Sequence, residues 1–252
     1  MKRKILVIGM IMLLGLTSGC GSNNVTTGDN SITSDKYTNA DSSENASNKG
    51  KVIDEKDLDY TIENGEVTIN SYLKSGKTKA VIIPDTIEGN PVTIIGTYAF
   101  ANDEKLEEVT LPDTVYKLEE NAFINDKNLT IINGLSNITY YGKSCLIGTS
   151  IASIDLSENV ICIEELGLIS LSDVTEIGTD INFTKLESLD VNSLCTTSLV
   201  NVELPGTVIE IPDHCLDGSS YLKTVTLNEG TTTIGEDAFE DCPVLEKVVI
   251  PA

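Results

Sequence analysis

A repeat of about 23 residues is the feature of this sequence that most constrains its fold. The phrase IGTYAFANDEKLEEVTLPD begins at Ile95, and the related phrase IGEDAFEDCPVLEKVVIPA begins at Ile234. We take the last residue of the A-F pair, or its counterpart, as the anchor of each repeat. The anchors are Phe100, Phe123, Leu146, Leu168, Leu194, Leu216 and Phe239, with steps of 23, 23, 22, 26, 22 and 23 residues. A period in the twenties is the signature of a stacked solenoid.

Three further columns of residues keep the same phase as the anchors. The residue five places before each anchor is large and apolar: Ile95, Leu118, Tyr141, Ile163, Leu189, Ile211 and Ile234. Three places earlier stand Val92, Val115, Ile138, Val160, Leu186 and Val208, and the column fails at Thr231. The residue just before each anchor is small: Ala99, Ala122, Cys145, Gly167, Ser193, Cys215 and Ala238. A 23-residue unit cannot bury its own apolar side, so stacked units must share one continuous core.

Each anchor is followed by the motif L-x-x-V-x-L or a variant of it. The seven copies are Leu106-Val109-Leu111, Leu129-Ile132-Gly134, Ile151-Ile154-Leu156, Val174-Ile177-Thr179, Leu199-Val202-Leu204, Leu222-Val225-Leu227 and Leu245-Val248-Ile250. The last two members are two residues apart, so they point to one side of a strand and the residue between them points outward. Prolines follow three copies and end the strand. An array of TPR or HEAT type is the rival repeat class, but its longer period and helical spacing are absent.

Both halves of the repeat resemble a known family. The motif L-x-x-V-x-L at a period near 23, with I-G-x-x-A-F between copies, resembles the BspA-like leucine-rich repeats of bacterial surface proteins, over roughly Leu58 to Ala252. The resemblance implies a curved leucine-rich-repeat solenoid that is mainly β. Short parallel strands would line one face, with turns or 3₁₀ segments on the other. We expect about seven repeats, with distorted units between Ile138 and Leu194 and about three inserted residues near positions 180–185.

The first 20 residues have the layout of a bacterial secretion signal. A basic start, MKRK, precedes the apolar run ILVIGMIMLLGL, which is short for a membrane span. The segment Leu16-Thr17-Ser18-Gly19-Cys20 resembles the lipobox of bacterial lipoproteins, which implies that Cys20 is lipidated and becomes the new N-terminus. An ordinary secretory peptide ending in Gly-Cys is the alternative. We therefore expect residues 1–20 to be a lipoprotein signal peptide and the protein to be extracytoplasmic, surface-exposed and held to the bacterial membrane by lipid alone.

Composition divides the remaining chain into three parts. Residues 21–57 are rich in Ser, Asn, Thr, Asp and Gly in their first thirty positions, and we assign them to a disordered tether. Residues 58–91 include the hairpin-like DYTIENGEVTIN and are predicted to cap the first core face. Residues 92–252 form the solenoid. The last repeat ends on Pro251 and Ala252 and is expected to expose apolar core, so either the chain is truncated or a partner or second copy covers that end.

The charge and the side-chain inventory argue against several classes of function. The chain has a formal net charge of −22, which disfavours binding to nucleic acid or to an anionic membrane surface. His214, beside Cys215, is the single histidine, and we read it as part of a solvated turn rather than as a catalytic base. The five cysteines after Cys20 lack zinc-site spacing and are expected to be small buried hydrophobic residues. We predict no enzyme, no cofactor and no dedicated metal site, with loose calcium binding by exposed carboxylates as the alternative.

The outward residues of the motif strands remain as a candidate binding face. Its predicted members are Glu108, Thr110, Asn133, Asp155, Glu176, Asn201, Glu203, Thr224, Thr226 and Lys247. Polar groups spaced regularly on a rigid sheet are able to recognise an extended protein or glycan, and repeat arrays commonly bind in this way. The resemblance implies an adhesin-like surface module. A structural spacer in the cell envelope without a dedicated ligand is the alternative, and in that case this face is merely solvated.

Overall fold

A computed structural model of the protein describes residues 50–151, 156–168, 180–197 and 199–251. The described residues form short strands joined by turns, with two 3₁₀ helices at Glu55–Asp57 and Leu135–Asn137. Within these ranges no helix is long and apolar enough to cross a membrane. The strands are β1 Lys51–Val52, β2 Leu58–Glu63, β3 Glu66–Tyr72, β4 Ala80–Ile82, β5 Thr86–Ile87, β6 Asn90–Ile95, β7 Glu108–Thr110, β8 Lys117–Leu118, β9 Ile131–Asn133, β10 Tyr140–Tyr141, β11 Cys162–Ile163, β12 Ile181–Asn182, β13 Ser188–Leu189, β14 Asn201–Leu204, β15 Glu210–Ile211, β16 Thr224–Leu227, β17 Thr233–Ile234 and β18 Lys247–Val249.

One row of parallel strands is built from the L-x-x-V-x-L motifs, and we call it the motif row. It contains β1-β4-β7-β9 in one sheet and β12-β14-β16-β18 in another. Equivalent residues of successive repeats pair directly, as Val109 does with Ile132 and Val202 does with Val225. The shift of 23 residues in each pairing is the sequence period. The predicted leucine-rich-repeat solenoid is confirmed, with about seven turns.

A second row of parallel strands carries the apolar residues five places before the anchors, and we call it the anchor row. Its strands follow the order β13-β11-β10-β8-β6, and β15 pairs with β17. Cys162 of β11 pairs with Ser188 of β13, a step of 26 residues that matches the predicted insertion. Part of that inserted segment lies outside the described residues. Within the described part, Phe183 has a fully buried side chain, so the longer repeat adds bulk to the core.

The two rows enclose one hydrophobic core that runs from Ile53 to Ala238. Six of the seven anchors are at most 2% exposed: Phe100, Phe123, Leu146, Leu168, Leu194 and Leu216. The seventh, Phe239, is partly buried against the same cluster. In the last repeat Ile234 is 41% exposed, whereas its equivalent Ile211 is fully buried. The exposure of apolar side chains expected in the final repeat is therefore observed.

The turn around each anchor has a repeated backbone conformation. Residues two places before the anchors have φ between 53 and 58°: Tyr98, Asn121, Ser144, Leu166, Asn192, His214 and Asp237. Residues two places after them have φ between 47 and 75°: Asn102, Asn125, Gly148, Thr196, Gly218 and Asp241. The left-handed region costs about 1–2 kcal/mol for most residues, and less for Asn, Asp and Gly, which explains why those three types recur here.

Hydrogen bonds between repeats offset the cost of this conformation. In the first turn the N–H groups of Tyr98, Phe100 and Asn102 donate to carbonyl groups one repeat later, at 3.2, 2.9 and 2.9 Å. The left-handed residues rotate alternate N–H groups toward the next repeat. Consequently the turns, like the strands, form a hydrogen-bonded stack along the solenoid.

The N-terminal unit begins earlier than the sequence predicted. The expected hairpin is present, since β2 and β3 pair antiparallel around Asn64 and Gly65, whose φ values are 54 and 84°. The assignment of all of 21–57 to a tether is wrong for the described residues 50–57. There β1 pairs with β4, the Ile53 N–H donates to Ile82 at 2.9 Å, and Ile53 is 6% exposed. One buried isoleucine and backbone pairing keep this charged segment in the fold.

Candidate binding surfaces

The outward side chains of the motif row form the surface that the sequence singled out, which we call the motif face. Eight of its ten predicted members lie among the described residues and share this face: Glu108, Thr110, Asn133, Asn201, Glu203, Thr224, Thr226 and Lys247. Asp155 and Glu176 lie outside the described residues. The face is therefore described in two parts, an N-terminal part on β4, β7 and β9 and a C-terminal part on β12, β14, β16 and β18.

The N-terminal part of the motif face combines polar and apolar groups. The Asn133 Nδ2 donates to Glu108 Oε1 at 2.9 Å and to Thr110 Oγ1 at 3.2 Å, which ties two neighbouring strands together. Ile131, beside Glu108 across the strands, is 47% exposed, and Val52 at the edge is 52% exposed. Prediction from the sequence had left these apolar side chains out of the site. They give this part of the face contact area that water does not favour.

The C-terminal part of the motif face is a chain of polar side chains. The Asn201 Nδ2 donates to Asp180 Oδ1 at 2.6 Å, and Thr224 Oγ1 donates to Asn201 Oδ1. In the next row of side chains, Asn228 Nδ2 donates to Glu203 Oε1 at 3.1 Å. These bonds hold the carboxylates in place along parallel strands. The surface is therefore rigid and presents acceptor oxygens at repeat spacing.

Three members of this polar chain were missed by sequence analysis. Asp180 and Asn182 precede and occupy β12, and Asn228 follows β16. Asn182 pairs with Glu203 across the strands, a step of 21 residues rather than 23. The irregular step near the insertion hid this strand. Laying Ile181 against Val202 by their shared burial would have revealed it.

The anchor row also carries polar and aromatic side chains on its surface. The Lys117 Nζ lies 4.5 Å from the ring centroid of Tyr140. The Tyr140 hydroxyl donates to Glu164 Oε1. Burial, followed by the bond to Glu164, raises the pKa of Tyr140 above its ordinary range. On the neighbouring repeat the Tyr116 hydroxyl donates to Glu66 Oε2 at 3.4 Å. Aromatic residues on the solenoid surface thus cluster here rather than on the motif face.

The turn around His214 differs from its interpretation as a simple solvated turn. His214 Nδ1 lies 3.7 Å from Asp217 Oδ2, with the two side chains 39% and 31% exposed. The structure also brings in Glu240 from the next repeat, and one ligand-capable atom from each residue lies within 4.8 Å of the others. Sequence analysis missed Glu240 because it is far from His214 along the chain. Aligning the polar columns of the repeat, as well as the apolar ones, would have placed them together.

The cysteines after Cys20 that the structure shows as free thiols fit their predicted role as small hydrophobic residues. Cys145, Cys195 and Cys215 are buried, and Cys242 is partly buried. Burial raises the pKa of Cys195 to about 11 and that of Cys215 to about 12. A thiolate is the nucleophile in cysteine chemistry, so these buried thiols are inert at neutral pH. Cys215 and His214 therefore do not form a nucleophile and base pair.

Comparison with known proteins agrees with this architecture. Residues 65–189 and 187–252 match the family described as the BspA type leucine-rich-repeat region, in six copies. The leucine-rich-repeat protein TpLRR of T. pallidum is 22% identical, with a TM-score of 0.62 over 77% of this chain and 90% of that chain. Its similarity supports the fold alone. No curated protein matches the chain.

Two other solved structures align with lower TM-scores and carry no argument here. The pneumococcal vaccine antigen PcpA is 17% identical, with a TM-score of 0.44 over 79% of this chain and 70% of that chain. A leucine-rich cell surface protein from Faecalibacterium prausnitzii is 18% identical, with a TM-score of 0.33 over 79% of this chain and 76% of that chain. The repeat columns, the strand register and the six matched copies together have one conclusion: the chain belongs to the BspA-type leucine-rich-repeat family of bacterial cell-surface proteins.

Proposed function

We propose that this protein is a lipid-anchored binding module of the bacterial cell surface, and that its motif face recognises a protein or glycan. The observation that carries the proposal is the polar chain on β12, β14 and β16. Asp180, Asn201 and Thr224 are joined side chain to side chain across three strands. A surface that is already ordered loses little conformational entropy when it binds, which favours recognition.

The charge of the motif face suggests the chemistry of the ligand. Its described ionisable members on the C-terminal part are the carboxylates of Asp180 and Glu203 and the ammonium group of Lys247. The whole chain has a net charge of −22. Acidic groups in excess attract basic partners and raise the rate of encounter. We therefore expect a ligand that is extended along the strands and carries positive charge.

Lipidation of Cys20 would hold this module at the membrane. The support for it is the signal-like segment that ends in Leu16-Thr17-Ser18-Gly19-Cys20. Several acyl chains at about 0.8 kcal/mol per buried methylene bind a protein stably to a bilayer. Labelling cells with radioactive palmitate tests the anchor, since label should enter the natural chain and be absent from the Cys20→Ala variant. Equal labelling of both would move the lipid elsewhere.

A crosslinking pull-down from intact cell envelope tests binding through the motif face. The bait is the full chain, compared with its Glu203→Lys and Glu108→Lys variants. The matched control is Glu187→Lys, an exposed carboxylate beside β13 in the anchor row. We expect the two motif-face variants to recover the partner roughly tenfold less well, because like charges now meet, and the control to behave as the natural chain.

Two other outcomes would contradict this proposal. Recovery that is unchanged in both motif-face variants would move the binding site to another surface, such as that of the anchor row. Recovery of nothing above background by the natural chain would favour the alternative function, a structural spacer of the envelope. The hydrogen bonds that Asn133 makes to Glu108 and Thr110 fit that alternative too, since they satisfy these groups without a ligand.

A further inference from the structure

We propose that His214, Asp217 and Glu240 form a binding site for a divalent transition metal ion, with Zn²⁺ as the best fit. His214 and Asp217 lie in the turn around the anchor Leu216, and Glu240 lies in the next turn, beside Phe239. One ligand-capable atom from each residue lies within 4.8 Å of the other two. This site lies in the turns and is independent of the motif face.

The backbone around the three residues is fixed by hydrogen bonds between the two turns. The N–H groups of His214, Leu216 and Gly218 donate to carbonyl groups of Glu236, Ala238 and Glu240 at 3.0, 2.9 and 2.9 Å. His214 itself has a φ of 53°, like its equivalents in the other repeats. The Cα positions of all three candidate ligands are therefore set by the fold, and only side-chain rotation is needed to converge on an ion.

The separations suit a small ion. Zinc binds imidazole nitrogen and carboxylate oxygen at about 2.0–2.2 Å, so tetrahedral ligand atoms are about 3.4 Å from one another. His214 Nδ1 and Asp217 Oδ2 are already 3.7 Å apart. Glu240 is exposed and is free to rotate by the remaining distance. Three protein ligands leave a fourth position for water or for a group from a partner.

These ligand-capable residues replace apolar ones in the repeat. The residue just after the anchor is, in order along the chain, Ala101, Ile124, Ile147, Ile169, Cys195, Asp217 and Glu240. Carboxylates thus enter this column in the last two repeats, and there they are stacked next to the single histidine of the chain. A solvated turn would need no such coincidence of an imidazole with two successive carboxylates.

The electrostatic field of the two turns also favours a cation. Residues 212–218 and 235–242 contain six carboxylates and no lysine or arginine. The negative charges of Asp237, then burial, then Asp241 and Asp217 raise the pKa of Glu240. A bound divalent ion would relieve that repulsion. Since Glu240 is fully exposed at its carboxylate, its repulsion is evidence of local charge density and not of a large energetic cost.

The donor set selects among metal ions. Calcium requires six to eight oxygen ligands, and a site with one nitrogen and two carboxylates supplies too few. Cys195 lies one repeat before Asp217 in the same column, but its thiol is buried and is held protonated, so soft sulfur ligation is disfavoured. Nitrogen and oxygen ligands of this kind suit Zn²⁺ and its spectroscopic substitute Co²⁺.

Calorimetric titration of the metal-stripped full chain with Zn²⁺ tests the site. The key variant is His214→Asn, because asparagine already occupies the same left-handed position at Asn121 and Asn192, so the turn should remain folded. Glu240→Gln removes the third ligand, and Glu236→Gln is the control for a neighbouring carboxylate outside the trio. We expect one saturable site in the natural chain and in the control, with affinity reduced roughly tenfold or more in the other two variants.

Two further measurements make the result decisive. Co²⁺ should give the visible absorption of a four-coordinate ion with the natural chain, and Zn²⁺ should raise its unfolding temperature, and both effects should be lost in His214→Asn. Binding that is equal in all variants, or Ca²⁺ binding as tight as that of Zn²⁺, would overturn the proposal and indicate loose association with surface carboxylates. Absence of saturable binding in the natural chain would overturn it as well.

Discussion

Asp126 Oδ1 accepts a hydrogen bond from the backbone N–H of Asp103 at 2.7 Å, and this bond joins equivalent positions of two successive repeats. Both side chains are 0% exposed. Asp103 Oδ1 also accepts the N–H of Leu106 in its own turn. In both residues Oδ2 has no hydrogen-bond partner within the described part of the chain. The core therefore contains two stacked carboxyl groups, one of which is ionised only at a cost.

Stability should consequently fall as pH rises from about 4 to about 8. Burial, and then the charge of Asp103, raises the pKa of Asp126 from 3.8 to about 8. The folded state thus holds a proton that the unfolded chain releases, and a group of this kind destabilises the fold by at most about 1.4 kcal/mol per pH unit across that window. Asp126→Asn keeps an oxygen acceptor and has no charge, so its advantage over the natural chain should grow with pH.

Urea unfolding at pH 5, 6, 7 and 8 measures this difference. Asp59→Asn, at an exposed position of β2, serves as the control and should not change the pH profile. An Asp126→Asn advantage that is the same at every pH would contradict the protonated carboxyl.

Tyr98→Asn should stabilise the protein by about 0.5–1 kcal/mol, because Tyr98 holds a left-handed backbone that asparagine adopts at lower cost. Its φ is 58°, matching Asn121 one repeat later, and its side chain is 55% exposed, so little packing is lost. Tyr98→Val should destabilise instead, since a β-branched residue tolerates this region poorly. Both changes are measured as shifts of the urea midpoint. Stabilisation by valine as well would show that removal of the ring, and not the backbone, is the cause.

Anchor residues should tolerate leucine far better than alanine. Phe123 stacks on Phe100 with ring centroids 5.3 Å apart and is fully buried, whereas the next anchor in the chain is Leu146. Phe123→Ala should cost about 3–5 kcal/mol, and Phe123→Leu no more than about 1.5 kcal/mol. Equilibrium unfolding in urea provides both values. Equal losses for the two variants would mean that ring stacking, rather than filled volume, governs this position.

The sequence was sufficient for the parts of the fold that depend on apolar periodicity. Anchors such as Leu194, and residues five places before them such as Leu118, were predicted to be buried, and they are. The hairpin was predictable because Asn64 and Gly65 require positive φ between two alternating strands. Each of these features repeats at fixed spacing or depends on neighbours in the chain.

The parts that were missed depend on contacts that leave no apolar pattern. Asp180 belongs to the motif face through a strand displaced by an irregular step. Glu240 meets His214 because turns of successive repeats stack, so their proximity is visible when polar columns are aligned. Asp103 and Asp126 are buried although they are acidic, because their position three after the anchor faces the core. Polar residues follow the geometry of the repeat as strictly as apolar ones do.

The last prediction concerns the segment at residues 50–57, where composition was misleading. A chain that begins at Leu58 lacks β1 and the buried Ile53, and it also loses the ion pair of Asp57 with Lys74 at 2.9 Å. It should be less stable than a chain that begins at Gly50 by about 2–5 kcal/mol, mostly through the newly exposed end of the core. Ile53→Ala in the longer chain separates burial from strand pairing and should account for about 2 kcal/mol or more of that loss. Urea unfolding of the three chains decides the matter. Equal stability of the two truncated chains would restore the boundary of the tether at residue 57.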